Sequence, residues 1–127
     1  MGSEKSVTLV RRLFEHTNAG ELDWQQMNGG VGFQVAFPGY GVTIERRQER
    51  DEFGHPHEQV MLSILNVEGQ VVEQIAPADL GGTLQNPEKV MTSLFEGARR
   101  RAMGVEKALD SILAALGPSV RDSTRPA

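Results

Sequence analysis

The sequence NPEKVMTSLFEGARRRAMGVEKALDSILAALGP, residues 86–118, decides the fold of the chain. Its apolar side chains recur at helical spacing for about eight turns, which predicts a single long helix between Asn86 and Gly117. These side chains belong to Met91, Leu94, Phe95, Ala98, Ala102, Val105, Leu109, Ile112, Leu113 and Leu116. Such a helix would be about 45 Å long, which exceeds the width of a domain of this size. We therefore expect it either to overhang its own core or to pack against a second subunit.

The residues that precede this helix alternate with the period of a β-strand. Large side chains occupy every second position of 31–37, and strand patterns recur at 42–45, 60–65 and 71–75. Short connections join the four segments, among them a polar loop at 50–57 and a tight turn at 66–69 in which Gly69 supplies a positive φ. Parallel neighbours would need long crossovers, so the segments predict an antiparallel four-stranded meander. Its buried face is expected to consist of Phe33, Val35, Ile44, Leu62 and Ile64.

A second, shorter helix is predicted at the N-terminal end of the chain. It begins at Ser3 or Ser6, runs to Thr17, and places its apolar residues on one face. A connector at 21–24 and an Asn-Gly-Gly turn at 28–30 lead from it into the sheet. The predicted fold class is α+β, in the order α-β-β-β-β-α, with both helices on one face of the sheet. One domain spans residues 1–117, and the segment rich in Pro, Ser and Arg at 118–127 is expected to be a disordered tail.

The composition restricts the classes of function. A chain of 127 residues with a net charge of −4 argues against a nucleic-acid-binding protein, whose charge is usually positive. No apolar run approaches the roughly 18 residues of a membrane span, and residues 1–6 lack the apolar core of a signal peptide. The absence of cysteine excludes disulfides and thiolate chemistry. We expect a soluble cytoplasmic protein.

The chain also resembles a group of small bacterial proteins of uncharacterised activity. The likeness rests on the order of the predicted elements and on three short motifs: Gly20-x-Leu22-x-Trp24, Asn66-x-x-Gly69 and Ala98-Arg99-Arg100-Arg101-Ala102. It covers most of the chain and implies no activity, cofactor or catalytic residue.

One constellation has the composition of a metal site. His55 and His57 follow Asp51 and Glu52 closely, and imidazole with carboxylate is a ligand set for zinc, nickel or non-haem iron. Pro56 forces an extended backbone between the two histidines, which directs their rings apart. A solvated hairpin loop therefore stays an alternative to a metal or acid–base site.

A stripe of small residues along the predicted long helix indicates a close contact. Gly97, Gly104 and Ser111 recur every seven residues, with Ala108 beside them. A glycine inside a helix costs about 1 kcal/mol relative to alanine, so close approach of another backbone is expected to offset the loss. Arg101 lies at the edge of the apolar face, where it would need a carboxylate of its own chain or of a partner. The contact is either with the first helix or sheet of the same chain, or with a second copy in a homodimer.

These observations lead to three functional hypotheses. The leading one is a non-enzymatic protein-interaction module, an adaptor, chaperone-like protein or immunity-type inhibitor, that forms a homodimer and binds a protein partner without a cofactor. The second is a small metal-dependent hydrolase that uses His55, His57 and either Asp51 or Glu52. The third is a ligand sensor with a cleft near Trp24. Neither nucleic acid nor a membrane is expected as a partner.

Overall fold

The computed structural model describes residues 4–27, 31–82 and 84–118, and it is an α+β fold as predicted. Within these residues, five antiparallel strands lie in the order β1-β2-β3-β4-β5, and they are accompanied by three α-helices and one short 3₁₀ helix. The elements, in chain order, are α1 (Glu4–Asn18), β1 (Gln25–Gln26), β2 (Gly32–Phe37), β3 (Tyr40–Arg50), β4 (Pro56–Asn66), β5 (Val71–Ile75), the 3₁₀ helix (Pro77–Leu80), α2 (Pro87–Ala102) and α3 (Val105–Leu116). No helix in these described segments is both long enough and apolar enough to cross a lipid bilayer.

The core forms between one face of the sheet and the two helices α1 and α2. Phe33 lies opposite Ile44, and Ile44 lies opposite Leu62 on the next strand, so three strands contribute to one buried row. The predicted core face is confirmed, with Ile64 only partly buried at its margin. The helices complete this core with seven buried side chains: Val7, Val10, Leu13, Met91, Leu94, Phe95 and Ala98.

The prediction of a single C-terminal helix was wrong, because the helix is interrupted between Ala102 and Val105. Gly104 adopts a φ of 66°, a left-handed conformation that ends a helix at little cost when the residue is glycine. The apolar period continues across the interruption, since only two residues separate the helices. Periodicity alone therefore does not reveal that α3 is a separate helix.

The sheet also has one strand more than predicted. The two residues of β1 pair with Gln34 and Phe33 of β2. Two consecutive glutamines carry no alternation between apolar and polar side chains, so the sequence pattern gives no signal for this strand. The predicted turn at 28–30 lies outside the described residues, as does most of the predicted tail.

The hairpin between β3 and β4 is longer than predicted. The strands remain paired as far as Arg50 and Pro56, and only the five residues 51–55 form the turn. An Asp51 carboxylate oxygen accepts hydrogen bonds from the backbone amides of Phe53, at 2.9 Å, and His55, at 2.8 Å. The outer part of this hairpin does not pack on the core. Its side chains are therefore mostly charged, and its sequence looks like that of a loop.

The connection between β4 and β5 agrees with the prediction. Gly69 has a φ of 83°, and its amide donates to the carbonyl of Asn66 at 3.0 Å. Beyond this turn the pairing of the two strands shifts in register between Ile64 and Leu65. The shift is the local irregularity of a β-bulge.

A cluster of charged and aromatic side chains fastens α2 to the sheet. The guanidinium carbon of Arg46 lies 4.6 Å from the ring centroid of Phe95, and Nη2 of Arg46 lies 3.3 Å from Oε2 of Glu96. On the same helix, Nε of Arg99 donates to Oε1 of Glu96 at 2.8 Å. The hydrogen bond from Arg99, assisted by Arg46, lowers the pKa of Glu96 below its ordinary value, although partial burial opposes the shift.

Gly32 is predicted to be essential for the packing of β2. A Cβ atom at this position would lie 2.7 Å from the backbone carbonyl oxygen of Ile44, which the sheet holds in place. We expect Gly32→Ala to lower the free energy of unfolding by about 1–3 kcal/mol, the usual cost of overpacking, as measured by chemical denaturation. Gly41→Ala is the matched control, because the nearest atom to its added Cβ is 3.8 Å away. Equal stability of Gly32→Ala and the wild type would contradict this packing.

The lowered pKa of Glu96 predicts a dependence of stability on pH. Because the folded state holds the carboxylate in its charged form, its contribution is present above the unfolded pKa and is lost as the pH falls from about 4.3 through the folded pKa. We expect Glu96→Gln to be less stable than the wild type at pH 7, and we expect this difference to be smaller at pH 3, as measured by urea denaturation. Glu68→Gln, at an exposed position in the β4–β5 turn, serves as the control and should not differ from wild type at either pH. A loss in Glu96→Gln that is the same at both pH values would show that the charge is not responsible.

Candidate functional site

The most unusual surface of the molecule is on α3, none of whose twelve residues is buried. Four large aliphatic side chains of this helix are between 45% and 73% exposed. We call them the α3 surface: Leu109, Ile112, Leu113 and Leu116. Large apolar side chains in this number on one short helix are a feature of protein–protein contact sites rather than of a free surface.

The four side chains lie on a single side of the helix. At about 100° of rotation per residue, the α3 surface spans an arc of roughly 100°. Ala108 stands at one margin of this arc and Glu106 at the other, whereas Lys107 and Ala114 point away from it. The helix is therefore amphipathic, with its apolar side turned to solvent in the isolated chain.

The structure does not bring the five predicted interface residues together on one helix face. Gly97, Arg101 and Gly104 line a cleft of about 570 Å³ between α1, α2 and α3, and Ala108 and Ser111 lie further along α3. The predicted stripe of residues spaced by seven required a continuous helix. Because the helix is interrupted at Gly104, the stripe does not form.

The close contact at Gly97 is made within the chain itself. A Cβ at Gly97 would lie 2.8 Å from Cγ2 of Thr17, so the glycine allows α1 and α2 to approach each other. Arg101 is exposed and needs no carboxylate to offset burial. Its neighbours Arg99 and Arg100 form ion pairs with Glu96 and Glu106.

Sequence reasoning missed the α3 surface although it identified the side chains concerned. The sequence left open whether the predicted helix overhangs its own core or packs against a second subunit, because a helical period does not indicate what covers the apolar side. Two signals in the sequence indicate that this part of the helix lies beyond the core: the predicted helix is too long for the domain, and a glycine divides it.

The proposed metal ligands His55, His57 and Asp51 are exposed, and the two histidines lie in different elements, the β3–β4 turn and β4. His55 lies in the β3–β4 turn, where its Nδ1 is 3.6 Å from Oδ2 of Asp51, and His57 is paired in register with Glu49 on β3. Phe53 and His55 donate their backbone amides to the other oxygen of Asp51, which therefore organises the turn. Across the described segments no three His, Asp or Glu side chains are placed to bind a metal ion.

Trp24 is a structural residue. Its side chain is 1% exposed, and its Nε1 donates to Oγ1 of Thr17 at 3.0 Å. It is therefore not accessible for stacking on a ligand. Its neighbours in the connector do, however, border a cleft.

This second cleft has a volume of about 550 Å³ and lies where the connector passes β2 and β3. We call it the β2-edge cleft. Its lining combines two carboxylates, two amides, a threonine and several apolar or small residues: Glu21, Leu22, Asp23, Gln25, Gln34, Val35, Ala36, Gly41, Val42, Thr43 and Leu65. The volume falls in the range of sites that bind small molecules or single side chains.

Substitutions at Gly97 and Thr17 test whether Gly97 makes a contact within its own chain or a contact between two copies. We expect Gly97→Ala to lower the free energy of unfolding by about 1 kcal/mol, because overpacking outweighs the gain in helix propensity. Adding Thr17→Ser should restore stability, since serine lacks Cγ2 and keeps the hydroxyl that accepts from Trp24. Thermal unfolding followed by Trp24 fluorescence measures both effects. A variant with unchanged stability and altered solution mass would place Gly97 at an intermolecular contact instead.

No family model, curated protein or solved structure matches the chain. The α3 surface and its connection to α2 are therefore the features from which we infer a function.

Proposed function

We propose that the protein is a non-enzymatic protein-interaction module that forms a homodimer through the α3 surface. The observation that carries this proposal is the exposure of four large aliphatic side chains on one side of a helix that has no buried residue. Adaptors, chaperone-like proteins and inhibitors all act through surfaces of this kind.

The energetics of α3 support an intermolecular contact. A helix of 12 residues is marginally stable by itself in water, and most helices gain their stability from burial of an apolar side. Complete burial of a Leu or Ile side chain contributes about 1.5–3 kcal/mol. In the isolated chain, each side chain of the α3 surface leaves roughly half or more of its area exposed to water. A partner that covered this area would add the corresponding part of the stabilisation.

A second copy of the chain is the occupant that the sequence and the charges favour. Residues 119–127, which follow α3 after Gly117 and Pro118, contain Val120 as their only large aliphatic residue and offer too little apolar area to cover four side chains. The charged residues of α3 are Glu106, Lys107 and Asp110, and Arg100 pairs with Glu106. The charges that remain, on Lys107 and Asp110, are of opposite sign, so α3 carries no excess charge that would repel a second copy.

The decisive variant is Leu113→Glu. Leu113 is 61% exposed in the isolated chain, so the substitution should change the stability of a monomer by no more than about 0.5 kcal/mol. At an apolar interface the same carboxylate would be buried without a partner, and we expect the dimer to dissociate. Sedimentation equilibrium across a concentration series measures the change.

Ala114→Glu is the matched control, because it introduces the same charge one residue away on the opposite side of α3. It should remain a dimer with the dissociation constant of the wild type. A wild-type protein that is monomeric at every concentration would refute the homodimer. Equal dissociation of both variants would refute the assignment of the interface to the α3 surface.

A further inference from the structure

Few contacts hold α3 in its position. The helix has no buried residue, and only Met103 and Gly104 separate it from α2. A cleft of about 570 Å³ lies between its first turn and the C-terminal end of α1, with Thr17 and Asn18 among the lining residues. Packing therefore contributes little to the direction in which α3 leaves the domain.

A single ion pair connects the side chains of α3 with the rest of the described chain. Arg100, in the last turn of α2, donates a hydrogen bond to the carboxylate of Glu106, in the first turn of α3. No other residue of α3 takes part in a side-chain hydrogen bond or ion pair within the described segments. The pair therefore bridges the interruption at Gly104.

The pair, rather than the backbone, distinguishes between directions of α3. Glycine has access to more backbone angles than other residues, so Gly104 allows α3 to point in several directions at similar cost. Arg101 and Lys107 line the same cleft and carry charges of the same sign, so their repulsion opposes a closure of α3 over it. Glu106 lies at one margin of the α3 surface, and the direction of that surface changes when the pair opens.

We propose that the Arg100–Glu106 pair sets the direction of the α3 surface and thereby regulates homodimerisation. Only the direction that keeps the pair intact presents the four aliphatic side chains for contact with a second copy. Salt screens an exposed pair but does not weaken an aliphatic contact, so the dimer should dissociate more readily as the ionic strength rises. The inference rests on the proposed homodimer and adds the control of the same surface.

The size of the effect follows from the exposure of the two side chains, 45% for Arg100 and 73% for Glu106. An exposed pair favours its intact geometry by roughly fivefold at most, so about five sixths of the chains would have α3 in the competent direction. Without the pair this fraction falls to about one half. Both subunits must be competent, so the dissociation constant of the dimer rises about threefold.

Charge reversal at Glu106 gives a larger effect. In Glu106→Arg two cations meet, which disfavours the competent direction, and we expect the dissociation constant to rise about twentyfold in sedimentation equilibrium. Reversing both charges, in Arg100→Glu/Glu106→Arg, should restore it to within about threefold of the wild-type value. Glu68→Arg makes the same change of net charge in the exposed β4–β5 turn and should leave the dissociation constant unchanged.

Glu106→Gln tests the dependence on salt. Raising the NaCl concentration from about 50 to about 500 mM should weaken the wild-type dimer about threefold, because the added ions screen the pair. The variant lacks the pair, so its dimer should respond to the same change only weakly. Equal salt dependence of the two proteins would contradict the regulatory role of the pair.

A second measurement reports the direction of α3 independently of dimerisation. The chain contains no cysteine, so spin labels at Thr8→Cys on α1 and Ala114→Cys on α3, both exposed positions, are the only ones it carries. Electron paramagnetic resonance on labelled protein diluted with unlabelled protein measures the distance between the two helices within one chain. In the Leu113→Glu background we expect one main distance. Adding Glu106→Arg should broaden the distribution, and reversing both charges should return it to one distance.

The results separate this inference from the proposed dimer. A wild-type protein that is monomeric at every concentration would refute the dimer and its regulation, and the spin-label distances would decide separately whether the pair directs α3. An unchanged distance distribution in Glu106→Arg would overturn the inference, and so would a double reversal that does not restore the distance. Circular dichroism verifies that each variant retains its helices, since the reversed charges oppose the helix dipoles at Arg100 and Glu106.

Discussion

The packing of α2 across the sheet is the contact on which the rest of the structure depends. One side of this helix approaches α1 through Gly97, and another side packs Phe95 against Phe33 with ring centroids 5.4 Å apart. The same helix receives Arg46 from β3 and carries α3 beyond its C-terminal end. The two layers of the fold and the position of the candidate interface are therefore set by a single element. A weakened α2 contact would disturb the core and displace α3 at the same time.

The parts of the fold that depend on burial were predictable from the sequence, and those that depend on backbone geometry were less so. Phe33, Ile44 and Leu62 were recognised as one face because period-two alternation follows directly from the pleat of a strand. β1 was not recognised, since pairing through backbone hydrogen bonds does not require apolar side chains. The interruption at Gly104 was missed for a related reason: a glycine within a helical pattern is compatible with either a continuous helix or a helix end.

The candidate site was likewise predictable from the sequence only in part. The side chains of the α3 surface were visible as a helical pattern, but a pattern records only that a side is apolar and not which molecule covers it. The β2-edge cleft could not be anticipated at all. It arises where a connector diverges from a strand edge, and its lining residues come from separate parts of the chain, from Glu21 to Leu65.

The register shift in β4–β5 affects how the sheet behaves towards other sheets. At one edge, β5 has only five residues, and the shift beside Ile64 and Leu65 makes its hydrogen-bonding groups irregular. Short and irregular edges are a known means by which β-proteins avoid forming continuous intermolecular sheets. At the opposite edge, the free stretch of β2 extends for only about 10 Å at the usual rise per residue. The molecule can thus keep one side of an antiparallel sheet open to water without a long, straight edge from which amyloid-like stacking could begin.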